Sequence, residues 1–121
     1  MNQDEIMKII NSGESETVEF KTSFDKEVAE TSGAFANTKG GVLLIGASDR
    51  GEIKGIRIGK ETLKDWTNQI SQGTEPRVIP EIELSEIDGK SVAIIRIKEF
   101  PIKPVSYDWK ACKGANLGLS A

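Results

Sequence analysis

The segment Ala34 to Gly46, AFANTKGGVLLIG, constrains the fold of this chain more than any other stretch. Asn37-Thr38-Lys39-Gly40-Gly41 breaks the helix before it, because paired glycines permit a tight turn that residues with a Cβ resist. Val42 to Ala47 is then apolar at consecutive positions, as in a strand covered on both faces at the centre of a sheet.

The remaining pattern builds around that strand. Ile6, Ile9 and Ile10 fall at helical spacing, so residues 3–11 read as a short amphipathic helix stopped near Gly13. Thr17 to Lys21 alternates, sending Val18 and Phe20 to one face and Glu19 and Lys21 to the other. Ser23 or Asp25 caps a second helix running to about Asn37, with Val28, Ala29, Phe35 and Ala36 on its inner face. After a turn at Asp49-Arg50-Gly51, a return strand is expected over Ile53 to Ile56. A third helix, about Lys60 to Gln72, presents Leu63, Trp66 and Ile70. Ile82 to Leu84 and Val92 to Ile97 flank Asp88-Gly89, a dipeptide suited to the positive φ angles of a type I′ hairpin. The expectation is a single α+β domain, about three helices on a mostly antiparallel sheet of about five strands. Residues 1–105 are expected to form it, and residues 106–121 read as an irregular tail, either the end of the chain or the start of a longer protein cut here.

The chain has 121 residues, enough for one modest core, and contains no histidine. That absence excludes a Ser-His-Asp or Cys-His relay and any imidazole zinc site. A metal held by this chain would sit on oxygen ligands, which favours Mg²⁺ or Mn²⁺. Cys112 is the single cysteine, no apolar run approaches membrane-spanning length, and the acidic start is unlike a signal peptide; a cytoplasmic protein with no membrane partner is expected. Net charge is −3, mildly adverse to nonspecific DNA binding. The acidity is concentrated at the start, however. Residues 1–19 carry five acids and one base, leaving 15 bases and 14 acids in the rest of the chain.

Two constellations bear chemistry. Glu14 precedes the first strand, Glu19 lies on it, and Asp49 follows the central strand. If those strands are neighbours, three carboxylates converge as a site for Mg²⁺ or Mn²⁺ in phosphodiester cleavage. Read plainly, they are solvated charges, with Asp49 a turn residue. Lys21, Lys39, Arg50 and Lys54, with Asn37, Thr38 and the backbone N–H groups of Gly40 and Gly41, would contact phosphates if they share one edge; the glycines serve equally well as a structural turn. Trp66 reads as core, while Tyr107 and Trp109 are weak stacking candidates. Gly55 to Thr62 approaches a phosphate-binding loop but has three intervening residues instead of four, and Glu61 stands where a hydroxyl is needed.

The run Glu14-Ser15-Glu16-Thr17-Val18-Glu19-Phe20-Lys21, then Ala34 to Gly41, then Leu44-Ile45-Gly46 with Asp49 and Gly55, resembles the Schlafen AlbA-type domain. The resemblance covers about Asp4 to Val105, with Lys103-Pro104-Val105 falling among the later strands. It implies an α+β fold and nucleic-acid binding within bacterial and archaeal transcriptional regulators, DNA ahead of RNA. In some eukaryotic Schlafen relatives a three-carboxylate site cleaves RNA with a divalent metal, and its acids match Glu14, Glu19 and Asp49. The alternatives to a binding module are thus a metal-dependent endoribonuclease and a structural or homodimerisation module. The tail departs from the family's aromatic-Arg-x-Gly segment, having Ala111-Cys112-Lys113-Gly114 instead, and lysine lacks the planar fork of arginine.

Overall fold

The computed structural model of the chain describes residues 1–59 and 61–107. In order, the elements are α1 (Gln3–Ser12), β1 (Val18–Lys21), α2 (Lys26–Ala36), β2 (Gly41–Ile45), α3 (Thr62–Gln72), β3 (Thr74–Glu75), β4 (Glu81–Ile87), β5 (Lys90–Ile97) and β6 (Ser106–Tyr107).

Each helix is bounded by recognisable end chemistry. Asn2 accepts the Glu5 N–H at 2.8 Å while the Glu5 carboxylate accepts the Asn2 N–H at 3.3 Å, a reciprocal cap on α1. Gly13, at φ 81°, ends that helix. Asp25, rather than Ser23, caps α2, its carboxylate accepting the Glu27 N–H at 3.0 Å. In α3 the aromatic face of Trp66 stacks on Phe24, with ring centroids 4.8 Å apart and planes within 8°.

The main sheet has the order β1-β2-β5-β4. β1 and β2 are parallel, with Glu19 opposite Leu43 and Lys21 opposite Ile45. The β2–β5 and β5–β4 pairs are antiparallel. Parallel neighbours need a crossover, which α2 supplies. One face carries Phe20, Leu44, Val92 and Ile94 against Ile6 and Ile10 of α1. The other carries Leu43, Ile45, Ala93 and Ile95 against Val28, Phe35 and Ala36 of α2 and Ile70 of α3. This two-sided covering is why VLLI lacks alternation: both of its faces meet helices. Asp88 and Gly89 take φ values of 52° and 77°, as the Asp-Gly hairpin requires.

The strand count is slightly lower than the sequence led us to expect. The main sheet has four strands, because the segment expected to return over Ile53 to Ile56 makes one isolated bridge, Ala47 to Ile53. Gly55, at φ 78°, then turns the chain away, and the Ile56 N–H bonds to the Ser91 carbonyl at 2.9 Å. A separate two-stranded pair, β3 with β6, was not anticipated. Among the described residues, no helix is long and apolar enough to cross a membrane.

Candidate functional site

Glu14 and Glu19 are brought together by a tight local turn. Ser15 and Val18 exchange backbone hydrogen bonds at 3.0 and 3.3 Å, an antiparallel bridge that leaves residues 14 and 19 as neighbours just outside it. Partial burial raises the Glu19 pKa from its ordinary value. Glu14 raises it further, through a side-chain hydrogen bond and like-charge repulsion; Lys21 opposes the rise and Glu27 adds slightly to it.

Asp49 occupies a different place. It is an exposed residue of the turn closed by the Gly51 N–H to Ser48 carbonyl bond at 2.9 Å, beyond the far end of β2. Among the described residues, no three Asp, Glu, Cys or His side chains are grouped so as to hold a metal ion. The three acids therefore form a pair and a separate turn residue.

The cationic and polar residues also divide. Lys39 and the glycine turn open β2, whereas Arg50 and Lys54 follow its other end. With five residues of strand between, at roughly 3.3 Å each, they do not share one edge. Lys21, 16% exposed, bonds Glu27 at 2.5 Å and approaches Asp25 at 3.6 Å, tying β1 to the first turn of α2. Its pKa is raised, chiefly by the bond to Glu27. The Asn37 amide donates to the Val105 carbonyl at 2.9 Å and accepts the Val105 N–H at 2.5 Å. Thr38 donates back to the Ala34 and Phe35 carbonyls.

At the glycines themselves the backbone is closely confined. The Gly40 N–H bonds the Phe35 carbonyl at 2.8 Å. A Cβ at Gly40, where φ is 79°, would lie 2.6 Å from the Ile97 carbonyl oxygen; one at Gly41 would lie 2.6 Å from the Phe35 ring. Lys39 is 74% exposed and pairs at 3.1 Å with Glu16, itself 76% exposed. It borders a hollow of about 480 Å³ with Arg96 and Lys98, but Glu81 and Glu99 line the same space.

At the other end the balance of charge differs. Arg50 is exposed and has no ion-pair partner among the described residues. Lys54 pairs with the exposed Glu52 at 3.2 Å. Two cations that the sequence reading did not single out, Arg57 and Lys90, stand beside Lys54. No local signal joins them, because 32 positions separate 57 from 90 and only the sheet brings them together. Trp109, the side chain of Tyr107 and the Ala111 to Gly114 segment lie outside the described residues, as does Lys60 of the near-miss phosphate loop.

The chain matches the sequence model of the Schlafen, AlbA_2 family over residues 14–115, and it belongs to that family. Its fold is similar to the N-terminal domain of a Nitrosomonas europaea protein described as ATP-dependent DNA helicase RecG-related. That likeness has a TM-score of 0.67 and 22% identity, and covers 88% of this chain and 80% of that one. The DIP2311 protein of Corynebacterium diphtheriae is also similar, with a TM-score of 0.63 and 19% identity; the match covers 89% of this chain and 23% of that one. At such identities the likeness establishes the shared fold. No curated protein matches the chain.

Proposed function

We propose that this domain is a nucleic-acid-binding module of a transcriptional regulator, with DNA ahead of RNA, and that it grips backbone phosphates through Lys39, Arg50 and Lys54. Membership of the Schlafen, AlbA_2 family supports the nucleic-acid reading, as does a fold shared with a helicase-related N-terminal domain. The observation that carries it is the state of the exposed cations. Among the described residues, Arg50 is unpaired and Lys39 and Lys54 are held only by exposed carboxylates. Such pairs contribute about 0–1 kcal/mol, so a phosphate can displace the carboxylate. In this reading Gly40, Gly41, Asn37 and Thr38 build the turn that presents Lys39, and Lys21 holds β1 to α2.

The test is the anisotropy of a labelled short duplex, titrated at low and at physiological salt. Binding through phosphates falls steeply as salt rises. Unchanged affinity after replacing Lys39, Arg50 and Lys54 together with alanine would remove this assignment.

A second reading, a divalent-metal-dependent ribonuclease, is favoured by the facing carboxylates of Glu14 and Glu19 alone. It requires Asp49 to join a pair from which it is separate here. Incubation with structured RNA and Mn²⁺ decides it: no cleavage, or equal cleavage by Glu19→Ala, rejects the nuclease.

A further inference from the structure

We infer that the hollow between the 54–57 segment and the β4–β5 hairpin is a docking site for a backbone phosphate, with Arg57 and Lys90 as its principal donors. The inference deepens the nucleic-acid reading above and rests on it.

The walls of this hollow are fixed by several independent contacts. The Ile56 N–H bonds the Ser91 carbonyl at 2.9 Å, and Lys90 Nζ donates to the Ile53 carbonyl at 3.2 Å. Gly55 lies so close to the hairpin that a Cβ there would sit 3.1 Å from Lys90 Cβ. Glycine at 55 therefore does two things. It accepts φ 78°, and it lets the loop close against the strand that carries Lys90. The resulting space measures about 380 Å³.

Its charge is of one sign. Lys54, Arg57 and Lys90 line it together with Gly55, Gly89 and Ser91, and among the described residues no carboxylate lines it. Glu52, which pairs with Lys54, and the exposed turn residue Asp88 stand outside the lining. The hollow beside Lys39, by contrast, is mixed in charge, with Glu81 and Glu99 set among Lys39, Arg96 and Lys98.

The donors match a phosphodiester. Arg57 offers a planar fork suited to two non-bridging oxygens, and it is exposed with no ion-pair partner among the described residues. Lys90 spends one N–H on Ile53 and retains two. Three cations spread around one hollow suit an extended run of phosphates better than a single compact anion.

The experiment compares the wild-type chain with Arg57→Ala, the double variant Arg57→Ala/Lys90→Gln, and Lys64→Ala as an exposed cation on α3 away from the hollow. Short labelled DNA and RNA oligonucleotides are the probes, titrated across a salt series, with unfolding midpoints checked alongside. Loss of a charged contact weakens binding on the order of tenfold. The double variant should therefore bind at least about tenfold more weakly, with a salt slope shallower by about 2. Lys64→Ala should bind as wild type. Should Lys90→Gln disturb folding, Arg57→Ala alone carries the test, with the slope shallower by about 1.

Equal losses in Lys64→Ala and Arg57→Ala would reduce the effect to net charge and overturn the site. Displacement of the oligonucleotide by orthophosphate or by polyglutamate at equal charge concentration would overturn the assignment to a nucleic-acid backbone. If wild type binds with steep salt dependence and the double variant matches it, only this inference falls. If wild type binds neither DNA nor RNA at low salt, the broader reading falls with it.

Discussion

The two ends of β2 make opposite use of similar residue types. At the opening end, Asn37, Gly40 and Gly41 are consumed by the fold: the amide clamps Val105, the Gly40 N–H is satisfied, and both glycines lie against neighbouring atoms. At the closing end, Gly55 lets a loop approach the hairpin, and the cations around it remain at the surface. A conspicuous sequence motif thus marks the place where the architecture is least negotiable. The surface better suited to a ligand is assembled from residues that carry no motif.

Substitutions can break that contrast, beginning with the largest effect. Gly40→Ala should cost about 3 kcal/mol or more in urea unfolding, because a positive-φ penalty adds to a backbone clash with Ile97 and Glu99. A loss below about 1 kcal/mol would show the opening end to be pliable. Asn37→Ala should cost about 2 kcal/mol by removing both bonds to Val105, while oligonucleotide affinity of the folded protein stays near wild type. Affinity lost with stability unchanged would reverse the assignment of Asn37.

Smaller effects sharpen the comparison. Glu19→Gln should stabilise the protein at neutral pH by less than about 1 kcal/mol, since it removes one of two facing acids. With its folded pKa raised, Glu19 favours the fold below its unfolded pKa, and that contribution is lost as pH rises through the folded value. The gain in Glu19→Gln should therefore fade in acid; thermal melts across a pH series would reveal a gain that persists there and count against the pairing. Arg50→Ala should change stability by less than about 0.5 kcal/mol yet weaken oligonucleotide binding. A larger destabilisation would mean that the closing end is structural too.

Much of the fold was legible because local chemistry and burial agree. Ile6 and Ile10 are buried at helical spacing, Phe20 is buried while Glu19 stays at the edge, and Asp88-Gly89 takes the turn its composition demands. The β3–β6 pair was illegible for a physical reason. Two residues, Thr74 and Glu75, show no period, and their partners Ser106 and Tyr107 are distant in the chain. The site was legible only in part. Chain order set Lys39 before the central strand and Arg50 after it, but it showed neither the turn over Ser15 to Val18 that brings Glu14 beside Glu19 nor the hairpin cation that joins Lys54. Lys39 and Arg50 are close in sequence and separated by the strand; Lys54 and Lys90 are far apart in sequence and line one hollow.

The position of β5 at the heart of the sheet also has a consequence for how the chain is made. β1, α2 and β2 leave the ribosome as one nearly contiguous stretch and can pair early. The second edge of β2 must wait for residues 90–97, so Val42-Leu43-Leu44-Ile45 presents an open, uncharged β-edge throughout the synthesis of α3, β3 and β4. A chain stopped before residue 90 lacks the strand that closes this edge, and self-association through it is the expected fate.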